Sequence, residues 1–90
     1  MEEETNKPKD VEEWIELAGK ASEEGDKEKA REYLQNAVNV DPESAKAWGY
    51  LSHFAQSKDD EIYALKKVLE LQPGNQGAAE RLRLVQEMLE

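Results

Sequence analysis

Cysteine is absent from this 90-residue chain, which excludes disulfides and thiolate chemistry and leaves the redox compartment open. Histidine occurs once, as His53, so a metal site built from clustered His and Cys ligands has nothing to draw on. No apolar run approaches the roughly 20 residues of a membrane span, and the start MEEETNKPKD does not read as a signal peptide. A soluble, cytoplasmic chain without membrane insertion is the expectation. Runs of β-branched residues and strand-like alternation are missing as well, which argues against sheet. There is no glycine-rich phosphate loop, no thiol nucleophile and no carboxylate pair in apolar surroundings, so neither enzyme nor cofactor is expected. Asp59-Asp60-Glu61 carries the charge of a calcium loop but lacks its alternating spacing and its glycine; helix capping accounts for it better.

What is present is acid. The net charge is −9, from 21 acidic and 12 basic residues. Residues 1–10 contribute −2, residues 11–44 contribute −6 and residues 45–90 contribute −1. An acidic surface without a Lys/Arg stripe repels phosphate backbones and excludes nucleic acid as a partner. Such charge also serves solubility, which is the plainer reading. The length suits one small domain, able to bury only about 60–65% of the surface that its unfolded chain exposes.

Apolar residues recur at helical spacing. Val11, Trp14, Ile15, Ala18 and Ala21 form one stripe, and Ala30, Tyr33, Leu34, Ala37 and Val38 a second. Ala45, Trp48, Leu51, Ser52 and Ala55 form a third. Leu65, Val68 and Leu69 form a shorter fourth, and Ala78, Ala79, Leu82, Val85, Met88 and Leu89 a broad fifth. Steps of three and four fit amphipathic helices. Asp10 with Glu13 resembles a capping box. Gly25-Asp26 supplies a left-handed stop followed by a cap. Pro42 disfavours helix at Asp41, so the second helix stops near Val40, and Ser44 caps the third. Pro73 and Asn75 repeat that pair. The spacing predicts helices over 11–24, 28–40, 45–57, 60–71 and 76–89, with 1–9 a flexible segment and 10–90 one domain.

Trp14 and Trp48 are separated by the same interval as Pro8 and Pro42. A shared period of about 34 residues in an all-helical chain points to stacked helix pairs. Residues 11–44 resemble one complete tetratricopeptide repeat: Trp14, Leu17, Ala18, Gly25-Asp26, Ala30, Leu34, Ala37 and Pro42 fall at signature places, with Ala21 the clear departure. The resemblance implies an all-α fold, a right-handed superhelix of antiparallel helix pairs. It divides the chain into repeat one (11–44), a shortened repeat two (45–75) and a capping helix (76–90). Ala18 and Ala30 would let paired helices approach closely. Trp14, Leu17, Leu34 and Ala37 would fill the space beside them. Both tryptophans read as core knobs, because each sits mid-stripe.

Repeat two is irregular, since the step from Pro42 to Pro73 falls three short of that period. Leu65, Val68, Leu69, Leu71 and Pro73 align with Leu34, Ala37, Val38, Val40 and Pro42. Counted from the front, Asp60 and Ala64 align with Asp26 and Ala30, so three residues are missing between SKDD and VLEL. Three residues are about 300° of rotation and about 4.5 Å of helix, so the faces stay nearly in phase. The expectation is a short turn at Ser57–Asp60 without a left-handed glycine, and a fourth helix shorter than the second.

The resemblance further implies that the first helix of each pair lines a groove for a partner protein or peptide. That groove would comprise Glu12, Ile15, Glu16, Gly19 and Glu23, then Lys46, Gly49, Tyr50, His53 and Gln56, then Gly77, Glu80, Arg81 and Leu84. Gly19 and Gly49 each cost about 1 kcal/mol against alanine in a helix interior. Close approach of a neighbouring helix is the first explanation for them, and a ligand the second. Chaperone-binding members clamp a C-terminal carboxylate with Lys, Asn and Arg; this chain has Ile15, Gly19, Tyr50 and Gly77 there, with only Arg81 kept, which excludes that role. The acidic balance favours a basic or amphipathic helical partner. A structural alternative is self-association through exposed apolar residues of the last helix, which reaches Glu90 without a C-cap, as in a domain of a larger chain or assembly.

Overall fold

The computed structural model describes residues 10–89; the segment expected to be flexible, residues 1–9, lies outside them. Five helices and no strand occur among the described residues: α1 (Val11–Glu23), α2 (Lys27–Val40), α3 (Ala45–His53), α4 (Lys58–Leu71) and α5 (Gln76–Leu89). Side chains write the helix starts. Asp10 accepts from the Glu13 amide, Asp26 from that of Lys29, Ser44 from that of Ala47 and Asn75 from that of Ala78, all within 2.9–3.1 Å. Each satisfies an amide that the first helical turn leaves without a backbone partner. Gly25 ends α1 with φ 84°, and Asp26 donates its amide back to the Ala21 carbonyl at 2.9 Å. A side chain at Gly25 would be strained there.

Repeat two departs from the expectation. α4 has 14 residues, the same as α2. The shortened element is α3, with 9 residues against 13 in α1. Ser57 caps α4 by accepting from the Asp60 amide at 3.1 Å, the part Asp26 plays for α2. Ser57 follows Asp26 by the same short step that separates Leu71 from Val40 and Pro73 from Pro42. The missing turn is therefore upstream of Ser57, and the alignment of Asp60 and Ala64 with Asp26 and Ala30 does not hold. The connecting turn runs over 54–57 without a glycine, and Asp59, Asp60 and Glu61 occupy the first turn of α4 rather than its cap. Carboxylates are stabilised there by the partial positive charge of the helix start.

A long-range contact accompanies the early stop. Arg31 in α2 donates its Nε to the Phe54 carbonyl at 2.9 Å. A carbonyl held from outside does not need an amide four residues on, so the helix can end without glycine or proline. Phe54 itself turns in to pack on the core.

Successive helices pack on one another, most extensively α1 with α2 and α3 with α4. Buried residues from all five form one cluster, with Ala30, Leu34, Ala37, Ala47 and Val85 fully enclosed. Enclosing Leu34 alone is worth about 1.5–3 kcal/mol. Trp48 is 7% exposed, and Trp14 packs half-buried against the same cluster. Ala18 and Ala30 are both buried where α1 meets α2, whereas Leu17 stays half-buried and Ala79 is exposed.

Candidate interaction groove

The odd-numbered helices leave two clefts between them. The first, about 310 Å³, opens between α1 and α3 and is lined by Ile15, Gly19, Ser22, Tyr50, His53 and Phe54, with Leu34 of α2 beneath. The second, about 390 Å³, opens between α3 and α5 above α4; Lys46, Gly49, Gln72, Asn75, Gly77 and Arg81 are among its walls. Four expected groove residues thus meet in the first cleft and four in the second. Glu12 joins them by an ion pair to Lys46, 3.1 Å across from α1 to α3.

Other expected residues are not brought in. Gln56 falls in the turn after α3, because α3 stops before reaching it. Glu80 lines a separate shallow surface with Gln76, Ala79 and Arg83. Glu16 and Glu23 are exposed on α1, and Leu84 is exposed on α5.

The glycines take an unexpected role. A Cβ built on Gly19 or Gly49 meets no atom within 4 Å. Close helix packing, the first explanation from sequence, is therefore not what these positions serve. They leave bare helix backbone facing open space in each cleft.

Electrostatically the groove is half neutralised. Glu12 is paired with Lys46, and Arg81 is held by Glu61 of α4 at 2.6 Å. The Glu61 hydrogen bond, and then its charge, push the Arg81 guanidinium above its already high value, so Arg81 stays protonated. Glu61 side-chain exposure is only 16%, which places this carboxylate against the α4–α5 seam. Glu16 and Glu23, exposed on α1 outside both cleft linings, form no ion pair among the described residues.

Sequence periodicity misses Ser22, Phe54, Gln72 and Asn75. Phe54 and Asn75 sit just outside helix ends, where a stripe carries no signal. No known family model matches the chain, and no curated protein matches its sequence. Among the described residues no helix is long and apolar enough to cross a membrane.

Proposed function

We propose that the chain is a non-enzymatic protein-interaction module of tetratricopeptide type, with about two and a half repeats forming a right-handed superhelix of helix pairs. The carrying observation is the first cleft. Ile15, Tyr50, His53 and Phe54 surround the open backbone of Gly19, giving an apolar, aromatic-rimmed recess that accepts a protruding side chain of a partner peptide or helix. Phe54 is already packed on the core, so that part of the rim binds with little loss of rotamer freedom. Glu16 and Glu23, exposed on α1 next in sequence to the lining residues Ile15 and Ser22 and without an ion pair among the described residues, favour a basic, amphipathic helix over an acidic one.

The test is binding of a basic amphipathic helical peptide to wild type and to Tyr50→Ala/His53→Ala. Weakening of about tenfold or more in the variant supports the reading. Equal affinity removes it.

A second reading rests on α5, where Leu84, Met88 and Leu89 are exposed together. In that reading α5 would pair with another copy or with the rest of a larger chain. Sedimentation over a wide concentration range separates the two readings, since a monomer throughout eliminates self-association.

A further inference from the structure

A different face of α3 floors a larger cleft, about 520 Å³, between α2 and α4. Trp48 and Leu51 lie at its base, and Arg31, Gln35 and Asn39 line the α2 wall. Tyr63 and Lys67 stand on the α4 wall, with Asp60 at one end. None of these residues belongs to the groove formed by α1, α3 and α5.

The committed and uncommitted groups here have opposite characters. The Trp48 indole N–H is taken by the Pro42 carbonyl at 2.8 Å, so that ring makes no further polar demand. Tyr63 meets it edge-on at 5.8 Å and remains 58% exposed, an aromatic wall without a cover. The Lys67 ammonium stands 5.9 Å from the Trp48 ring and 5.5 Å from the Tyr63 ring. Its nearest carboxylate, Glu70, is 3.8 Å away and largely in water, a pair that contributes little stability and is readily exchanged. Arg31 donates Nε to Phe54 and forms no ion pair among the described residues. The side-chain amides of Gln35 and Asn39 make no hydrogen bond among those residues either. Two cations and two free amides thus line the cleft with one acid, Asp60, while Glu70 stands beside Lys67 outside the lining. The lining alone carries one net positive charge, on a chain of net charge −9.

The α2 wall runs from Arg31 to Asn39, about 12 Å at 1.5 Å per residue. An extended peptide of about four residues covers that length, and its side chains alternate between floor and wall. We propose that this cleft binds an extended acidic peptide. Its aliphatic side chains lie on Trp48 and Leu51, and its carboxylates meet Lys67 and Arg31. The site does not depend on the groove reading and takes a partner of the opposite charge.

The probe is a capped hexapeptide alternating leucine and glutamate, with its leucine–lysine counterpart as control. Trp48 fluorescence reports binding in a Trp14→Phe background. The glutamate peptide should saturate the signal, with affinity falling as salt rises, and the lysine peptide should give no saturation. Lys67→Glu should weaken binding by about tenfold or more, while Lys67→Arg retains it. Asp60→Asn, which removes the opposing acid at an exposed position, should tighten it and serves also if Lys67→Glu does not fold. Tyr50→Ala should bind the hexapeptide as wild type does, which keeps this outcome separate from that of the groove. No saturation by the glutamate peptide, equal affinity for both peptides, or unchanged affinity in folded Lys67→Glu overturns the proposal.

Discussion

The indole Nε1 of Trp48 donates to the Pro42 carbonyl at 2.8 Å, six residues back along the chain. One side chain thereby ties the start of the α2–α3 turn to the third helix and also fills the core beneath it. Trp14 occupies the matching place, and among the described residues its buried Nε1 has no hydrogen-bond partner; the position six before it, Pro8, lies outside those residues. Within the described residues the two tryptophans therefore differ in what their polar atom contributes.

Trp48→Phe removes a made hydrogen bond as well as ring area. Trp14→Phe removes similar area and no hydrogen bond found among the described residues. Denaturant unfolding should show Trp48→Phe as the more destabilising by about 1–2 kcal/mol. Equal losses would mean that the Pro42 bond contributes nothing net.

Gly19 and Gly49 face open space, so adding a methyl group meets no obstacle. Gly19→Ala and Gly49→Ala should each stabilise the fold by about 0.5–1 kcal/mol through helix propensity alone. Gly25→Ala, at φ 84°, should destabilise by about 1 kcal/mol. Midpoints from urea titration give the ordering. If Gly19→Ala stabilises the free protein but weakens the basic helical peptide, the bare backbone serves the partner.

Arg31 holds the carbonyl at the end of α3. Arg31→Met keeps the aliphatic stem and removes the donor to the Phe54 carbonyl. It should cost about 1–2 kcal/mol, with hydrogen exchange rising first at residues 53–57. A uniform rise across the chain would mean that Arg31 supports the whole core and not this turn.

Glu61 and Arg81 should show favourable coupling in a double-mutant cycle, and the coupling should shrink as salt rises from about 0.05 to about 1 M. The pH sign follows from the raised Arg81 value. Its contribution is complete below the pKa of a free arginine and is lost only as pH climbs through the higher folded value. Alkaline titration through pH 10 should therefore leave the Arg81 side of the pair unchanged.

Local chemistry makes much of this fold legible. Asp10, Asp26, Ser44 and Asn75 mark four helix starts because capping acts within three residues, and Gly25 marks a stop for the same reason. The end of α3 is not legible, since the group bonded to it, Arg31, lies 23 residues away. Ala47, fully enclosed, falls outside the expected stripe, because alanine signals helix and burial equally weakly. Of the expected groove, Ile15, Gly19, Tyr50 and His53 share one cleft. Gln56 and Glu80 do not join it, because the shortened α3 releases the first and the packing of α5 turns the second aside. The cleft above Trp48 has no linear signature at all, being assembled from three helices.

Glu61 stands four places after the cap Ser57, just as the fully enclosed Ala30 stands four places after Asp26. Its acid is tolerated there because Arg81 follows in the next helix. The two pairs are consequently not interchangeable parts. Exchanging their order would bring Glu61 against α1, which carries no arginine to receive it.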